Sequence, residues 1–321
     1  MTIARTATVA VIALVVGVAS DRVRAAEPIK IGVEYSAEDG PVFIAKEKGY
    51  FAAEGLDADL VRYESADPVA VAAVSSAVDV GAAGITGALY TLATQDAVRL
   101  VAGLAYDGPG HRGFAIIVSS KAEAQGLRSF DDLPGHSVAV AGTGSPFQYA
   151  LAIACEKHGI DLRTMHFLPR SSAADVASAV AGGQADVGVL PAPLVGAGAG
   201  KILAWVGDET PWQMAAVWVS RRTAEDRADM ITRFLRALRK GSSDYAAAFI
   251  PTDGPGAAQD YPILQKYLGQ PVLADVDPDA RLDVDDIEHQ IEWFREEGVV
   301  RGDIDTDRLI DKRFVVPLPS R

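Results

Sequence analysis

The sequence is poor in cysteine and in the motifs of common catalytic sites. Cys155 is the single cysteine among 321 residues, so no internal disulfide stabilises the fold and a sizeable core must do so. Five scattered histidines form neither an H-x-x-x-H pair nor a cysteine-containing cluster, which argues against a zinc or iron site. G-x-S-x-G and G-x-x-x-x-G-K-[ST] are also absent. We therefore expect no metal, no cofactor and no catalytic residues.

Positive charge is also scarce. Thirty Lys and Arg residues face 43 Asp and Glu residues, and the formal net charge is −13. Such a chain has no basic field with which to hold phosphate backbones or anionic lipid headgroups. Nucleic acid and a charged membrane surface are therefore poor partners for this protein.

The N-terminus contains an apolar run, TATVAVIALVVGVAS, that is too short to span a bilayer. DRVRAAEP follows and places small residues at −3 and −1, Val23 and Ala25. This pattern predicts a secretory signal peptide over residues 1–25, cleaved near Ala25. No cysteine lies near the cleavage point, so we expect no lipid anchor and a freely diffusing periplasmic protein.

The body of the chain alternates short apolar strands with helices, and it does so twice. IKIGVEY, LDADLVRY and VDVGAAG are strands of the first set, and HSVAVAG, TMHFLPR and ADVGVLP are those of the second. Val69–Gly81 aligns without gaps on Val176–Gly188, and both end in Asp-Val-Gly. Alternating strands and helices predict largely parallel sheets, so the repeat predicts two similar α/β lobes.

A glycine turn between a strand and a helix, SVAVAGTGSPFQYAL, invites comparison with nucleotide-binding loops. Gly142 and Gly144 supply G-x-G, but Phe147 occupies the third glycine position of the dinucleotide fingerprint. Arg170 stands where an acid that binds ribose is expected. The stretch therefore predicts no nucleotide site, and its helix N-terminus is instead suited to a sulfonate or carboxylate.

Several blocks resemble the periplasmic binding proteins of ABC importers for sulfonates, taurine, nitrate and pyrimidine precursors of thiamine. They are GVEYSAEDGPVFIAKEKGYFAAEGLDADLV, GAAGITGAL, LRSFDDLPGHSVAVAGTGSPFQYAL, AVAGGQADVGVLPAPL and FREEGVV before DRLIDKRFV. The resemblance covers nearly all of residues 28–316. It implies a type II periplasmic-binding fold, in which two α/β lobes enclose a ligand and are joined by two hinge strands.

The resemblance also implies a division of the chain and a set of partners. Lobe 1 is expected to comprise residues 26–112 and 221–321, lobe 2 residues 113–220, and the hinge strands about 113–120 and 215–222. The expected partners are a small-molecule solute, an ABC permease and its ATPase, and the protein is expected to be a monomer.

Ligand contacts in this family come from loops at the carboxyl ends of matching strands, as in other open α/β sheets. The positions implied are Tyr35, Ser36, Asp39, Phe43, Gly84, Ile85 and Thr86 in lobe 1, and Thr143, Ser145, Phe147, Gln148, Leu190, Pro191 and Ala192 in lobe 2. Tyr35 is the expected stacking platform, whereas Phe43 and Phe147 also suit a core position. Ser145 suits either a plain N-cap or a ligand donor.

Three further residues near the predicted hinges complete the candidate site. His111 and Arg112 form a basic pair that suits either an exposed loop or a ligand's acid group. Trp212 is placed to close over a flat ligand.

The expected solute is a small organic anion, such as a sulfonate or an aromatic carboxylate, and the alternative is a pyrimidine or another heteroaromatic base. An organic anion fits the helix N-termini and Arg112, and a heteroaromatic base fits Glu34, Tyr35 and Asp39. An enzyme that makes a thiamine pyrimidine and a receptor's sensing module are the competing functions. Such enzymes use cysteine- and histidine-rich motifs that we do not find in this sequence. A receptor's sensing module would need a fused transmembrane or kinase segment, which we do not find either.

Overall fold

A computed structural model describes residues 25–110, 112–142, 144–249, 257–269 and 274–319. The predicted signal peptide therefore lies almost wholly outside the described residues. Within the described ranges, no helix combines the length and the apolar character that crossing a bilayer requires.

The first lobe is built on a five-stranded sheet in the order β2-β1-β3-β10-β4. Its first three strands run parallel, and β10 lies antiparallel between β3 and β4. The strands are β1 (Glu27–Val33), β2 (Leu56–Arg62), β3 (Val80–Gly84), β4 (Val98–Asp107) and β10 (Trp212–Ser220).

The second lobe repeats this plan in the order β7-β6-β8-β5-β9. Here β6, β7 and β8 run parallel, and β5 lies antiparallel between β8 and β9. The strands are β5 (Phe114–Val118), β6 (Ser137–Ala141), β7 (His166–Arg170), β8 (Val187–Pro191) and β9 (Lys201–Trp205). The predicted α/β fold of two similar lobes is thus confirmed.

Helices cover the sheets and form a C-terminal layer. They are α1 (Gly40–Glu47), α2 (Tyr50–Ala53), α3 (Ala66–Val74), α4 (Gly87–Ala93), α5 (Ser120–Ala124), α6 (Pro146–Lys157), α7 (Ala173–Ala181), α8 (Ala192–Gly196), α9 (Val206–Glu209), α10 (Arg221–Asp226), α11 (Ala228–Phe249), α12 (Ala257–Leu268), α13 (Val284–Glu296) and α14 (Thr306–Leu309). Short 3₁₀ helices occupy Ala37–Asp39, Phe130–Asp132 and Leu162–Thr164.

The repeated Asp-Val-Gly has a structural explanation. Oδ2 of Asp79 accepts a hydrogen bond from the amide of Lys30, at 2.7 Å, in the neighbouring strand. Oδ2 of Asp186 accepts the equivalent bond from the amide of Ser137, at 3.0 Å. Each aspartate thus ties the start of β3 or β8 to the adjacent strand, which satisfies a backbone donor that the parallel ladder leaves free.

The structure corrects the predicted boundary of lobe 2. Residues 212–220 form β10, which lies inside the first sheet, so the expected lobe 2 segment 113–220 extends too far. Likewise, β5 belongs wholly to the second sheet. The chain crosses between lobes in the segments 108–113 and 206–211, outside the strands that were expected to act as hinges. Pairing with both β3 and β4 anchors β10 in the first sheet.

The C-terminal helix α13 packs where the lobes meet. Its Asp286 accepts hydrogen bonds from the amide of Gln213 on β10, at 2.7 Å, and from the Tyr149 hydroxyl on α6, at 2.6 Å. Trp293 and Phe294 contact the Tyr149 ring, with centroids 5.6 and 6.3 Å away. This helix therefore contacts an element of each lobe.

Candidate functional site

A cavity of about 350 Å³ lies between the two lobes. Its first wall consists of residues that follow β1, β2 and β3, and its second wall of residues on β5 and after β6. The carboxyl ends of parallel strands lie at one edge of each sheet, and these edges face each other here. The cavity is lined by Glu34, Glu38, Ser65, Ala66, Asp67, Gly84, Thr86, Gly87, Ala88, Phe114, Ala141, Gly142, Gly144, Ser145, Pro146, Phe147, Met214 and Val299.

The lobes touch at the edge of this cavity. The amide of Gly87, at the start of α4, donates a 3.3 Å hydrogen bond to the carbonyl of Gly144, in the loop before α6. A Cβ on Gly144 would lie 2.9 Å from Cγ1 of Val299, and the φ angle of Gly144 is +73°. Glycine is therefore required here for both space and backbone conformation.

The first wall carries the charge. Among the described residues that line the cavity, the ionisable side chains are Glu34, Glu38 and Asp67. Glu34 accepts a 3.3 Å hydrogen bond from the amide of Gly84 through Oε2, and the Thr86 hydroxyl donates to Oδ1 of Asp67 at 2.7 Å. The candidate site is thus acidic on one side.

Asp39 lies beside this wall and organises the turn that carries Glu34 and Glu38. Its Oδ2 accepts hydrogen bonds from the amides of Glu34 and Ser36, at 3.1 and 3.0 Å, and from the Ser36 hydroxyl, at 3.2 Å. Its Oδ1 is buried without a hydrogen-bond partner. We refer to Glu34, Glu38 and Asp39 as the carboxyl trio.

The trio favours the protonated state because Asp39 is buried, Glu34 and Glu38 are half-buried, and the three carboxyl groups repel one another. Burial raises the pKa of Glu34 to about 8, and repulsion from Glu38 adds to the rise, while the bond from Gly84 opposes it. Burial also raises the pKa of Asp39 well above its usual value, and repulsion from Glu38 again contributes. A positive charge in the cavity would reverse this preference.

The second wall is largely apolar. Phe114 on β5 and Phe147 in the first turn of α6 lie with ring centroids 5.4 Å apart. Outside this wall, Met214 on β10 of the first sheet and Val299 in the chain after α13 also add aliphatic surface to the cavity. Such a wall accommodates a flat or aliphatic portion of a small molecule.

The helix N-termini at the cavity are already largely satisfied, unlike the free donors that the sequence suggested for an anion. In α6, the Ser145 hydroxyl accepts from the Gln148 amide at 3.3 Å, the Gln148 side chain accepts from the Gly144 amide at 2.9 Å, and Pro146 has no N–H. In α4, Thr86 accepts from the Leu89 amide at 3.4 Å. Few donors of either helix are left for an anionic ligand.

Of the residues named from the sequence, five line the cavity, and one of them is Glu34, which was named for a heteroaromatic base. The other four come from strand ends. Gly84 and Thr86 line the cavity from the first lobe, and Ser145 and Phe147 from the second. Ser145 also forms the N-cap hydrogen bond, so its capping role is present in the structure. Gln148 and Ile85 lie next to cavity residues but are buried, at 6% and 1% exposure.

Tyr35 and Phe43 pack away from the cavity. Tyr35 has a φ of +63°, and its ring contacts Phe43 and Tyr267, with centroids 5.4 and 5.5 Å away. Phe43 stacks on Tyr267 at 4.2 Å and is fully buried. Neither ring forms part of the cavity wall, and Ser36 and Asp39 support this wall from behind.

The predicted residues near the lobe crossings lie outside the cavity too. Trp212 is 1% exposed, and its ring centroid lies 6.0 Å from that of Phe114 behind the second wall. Arg112 is exposed, with its guanidinium 5.8 Å from the centre of the Trp205 ring. Pro191 ends β8 and precedes α8, flanked by Leu190 and Ala192. His111 and Thr143 lie outside the described residues.

Several cavity residues escaped the sequence analysis. Ser65 and Asp67 follow β2, and the rule that ligands bind at strand ends would have found them had it been applied to that strand. Glu38 belongs to a loop whose acidity was visible in the sequence. Met214 and Val299 carry no local signal, since β10 and the chain after α13 reach the cavity only through tertiary packing.

Two α/β lobes around a ligand-sized cavity define the class of two-lobed periplasmic-binding folds, and solved structures agree. The aliphatic sulphonate binding protein SsuA of Escherichia coli has a TM-score of 0.70 at 17% identity, covering 90% of this chain and 98% of that one. The alkanesulfonate-binding protein SsuA of Xanthomonas axonopodis pv. citri, bound to MOPS, has a TM-score of 0.62 at 20% identity, covering 92% and 100%. The desulfurization enzyme DSZB has a TM-score of 0.60 at 13% identity, covering 90% of this chain and 97% of that one.

A comparison with protein-family models assigns the chain to one family. The NMT1/THI5-like family matches residues 37–248, and the chain belongs to that family. No curated protein sequence matches the chain significantly.

Proposed function

We propose that this protein is the solute-binding component of an ABC importer and captures a small organic solute between its two lobes. The observation that carries the proposal is the interlobe cavity, whose walls come from the strand ends of both lobes. A ligand that contacts both walls favours the closed arrangement, because only there does it make all of its contacts. The closed form then docks on a permease whose ATPase drives uptake.

The remaining parts of the proposal concern location and assembly. An exported monomer, cleaved near Ala25 and diffusing in the periplasm, suits this role. The names of the Escherichia coli and Xanthomonas proteins describe periplasmic or sulfonate-binding proteins, which supports binding and transport as the general activity.

A binding role is favoured over catalysis by the surroundings of Cys155. The thiol lies on α6, is fully buried and does not line the cavity. Burial raises its pKa to about 12, so it is a poor nucleophile at neutral pH. DSZB shows that the fold also carries an enzyme, so we test for chemical change directly.

For the solute itself, the wall favours a nitrogen-containing heteroaromatic base over an organic anion. Carboxyl groups accept hydrogen bonds from ring or amino N–H groups, and Phe114 and Phe147 offer aromatic surface. A sulfonate or aromatic carboxylate would instead lie against Glu34 and Glu38. This alternative is retained as a competing outcome of the test.

The test is a thermal-shift screen of sulfonates, aromatic acids and pyrimidines, followed by small-angle scattering with each hit. We expect a hit to raise the melting temperature and to reduce the radius of gyration. Ala88→Trp fills the cavity from α4 and should abolish the shift, whereas Ala52→Trp, at an exposed position on α2, should keep it. Mass spectrometry must recover the hit unchanged, and a new product would contradict the binding role.

A further inference from the structure

The carboxyl trio has no positively charged partner within the described residues. The ion pairs found there do not involve Glu34, Glu38 or Asp39, although acidic side chains elsewhere are paired, such as Glu27 with Arg227 at 2.6 Å. Asp39 has no solvent exposure, and its Oδ1 is buried without a hydrogen-bond donor. Unpaired buried carboxylates are costly, so this arrangement calls for a compensating charge or protons.

The groups around the trio do not supply that charge. Asp67 on α3 raises the pKa of Glu34 by repulsion, and Glu38 has the same effect on the phenol of Tyr245, which packs from α11. Arg62 on β2 lies over the Tyr35 ring, 5.3 Å from its centre, and Tyr267 on α12 packs against the same ring. None of these groups therefore gives the trio a compensating positive charge.

The cavity places this acidic wall opposite an aromatic one. Glu34 and Glu38 lie on one side, and Phe114 and Phe147 lie on the other. The faces of aromatic rings also attract cations, by about 0.5–2 kcal/mol in proteins. A compact molecule with a positively charged nitrogen thus finds attraction on both walls, whereas a metal ion would leave the apolar wall without a partner.

We propose that the solute is an organic cation, whose charged nitrogen lies against Glu34 and Glu38 and displaces protons that the carboxyl trio holds in the empty cavity. The inference rests on the proposed solute-binding function and names the substrate class. Protons leave to solvent as the cation enters, so the bound positive charge replaces them. Binding therefore strengthens as the pH rises, which is the opposite of the behaviour of an anionic ligand at the same wall.

Calorimetry with a permanent cation tests the proton exchange, because such a probe has no proton of its own to lose. We would titrate benzyltrimethylammonium into the protein at about pH 6 and pH 9, in two buffers of different ionisation enthalpy. We expect about tenfold tighter binding at the higher pH and net proton release at the lower one. Benzyl alcohol and phenylmethanesulfonate are the neutral and anionic comparators and should bind weakly.

Variants locate the effect. Glu34→Gln and Glu38→Gln keep the side-chain size and should each weaken cation binding about tenfold and reduce proton release. Glu288→Gln removes the same charge from an exposed position on α13 and should change neither the affinity for the cation nor the proton release. Circular dichroism of each variant confirms that the fold is retained.

The outcomes separate the two proposals. If the cation fails to bind while the sulfonate or the alcohol binds, the substrate class is wrong and the solute-binding function stands. If the cation binds with proton uptake, or equally well to Glu34→Gln and Glu38→Gln, the proton exchange at the trio is wrong. If no probe of any class binds and the broader solute screen also fails, both proposals are contradicted.

Discussion

The hydroxyl of Tyr149 on α6 donates a 2.6 Å hydrogen bond to Oδ1 of Asp286 on α13, and this buried contact joins the two lobes. Oδ2 of Asp286 accepts two further bonds, from the Gln213 amide and the Gln290 side chain, each at 2.7 Å. Gln290 in turn accepts from the Tyr90 hydroxyl at 3.0 Å. The network satisfies a carboxylate that lies behind the cavity and would otherwise be unpaired.

Tyr149→Phe should destabilise the protein by about 1–3 kcal/mol, because it leaves Oδ1 of Asp286 buried without a donor. Burial already raises the pKa of Asp286 to about 6, and the bond from Tyr149 opposes that rise, so its loss should raise the pKa further. Urea denaturation at pH 7 measures the change in the free energy of unfolding. Tyr261→Phe, on an exposed ring, is the control. Equal stability of both variants would show that the contact contributes nothing.

A second buried carboxylate lies where the chain crosses between lobes. Asp107 ends β4 and is 2% exposed; burial raises its pKa, while the Trp212 side chain and the amides of Gly113 and Gly207 face its carboxylate and oppose that rise. Gly113 and Gly207 flank it: Cβ atoms built on them would lie 3.0 and 2.9 Å from its Oδ1. Both crossings therefore pack against the same side chain.

Asp107→Asn should stabilise the protein at pH 8 by about 2–4 kcal/mol and have little effect at pH 4. Burial raises the pKa of Asp107 to about 7, so between pH 4 and 7 the folded state holds a proton that the unfolded chain releases. The free energy of unfolding of the natural protein consequently falls as the pH rises through this range. Asparagine does not titrate, so the variant avoids this fall in the free energy of unfolding. Urea titrations at several pH values measure the difference, and a gain that is independent of pH would contradict the explanation.

Gly207→Ala should destabilise the protein by about 1–3 kcal/mol, since overpacking forces neighbouring atoms apart. The added Cβ would lie 2.5 Å from the carbonyl oxygen of Gly108 and 2.9 Å from Oδ1 of Asp107. Gly196→Ala is the matched control, because its Cβ meets nothing within 4 Å. Differential scanning calorimetry compares the two. If Gly207→Ala has the same melting temperature as the natural protein, the segments that cross between the lobes adjust more easily than this packing implies.

Much of the fold was predictable because its signals are local and repeated. Asp79 and Asp186 occupy equivalent places in the repeat, and each accepts a hydrogen bond from the neighbouring strand. Placement of β10 was not predictable, since an apolar strand after lobe 2 suits either sheet until its partners are known. Its pairing with β3 and β4 is a tertiary choice made across more than a hundred residues.

The candidate site was predictable only in part, for similar reasons. The strand-end rule finds Gly84, Thr86, Ser145 and Phe147, because it depends on topology alone. It misplaces Tyr35, since a positive φ at that residue is not visible in the sequence and its ring lies against Tyr267 instead. The charge of the cavity also depends on which of several acidic residues face inward.

Arg112→Ala should leave solute binding within about twofold of the natural protein, although the sequence alone allows this residue to be either a partner for an acid group or part of an exposed loop. The exposed guanidinium lies over the Trp205 ring and outside the cavity wall, so its removal costs only that contact, about 0.5–1 kcal/mol. Calorimetric titration of the best solute into Arg112→Ala and Arg128→Ala, a second exposed arginine, provides the comparison. A loss of tenfold or more in Arg112→Ala alone would place Arg112 on the ligand and favour an anionic solute.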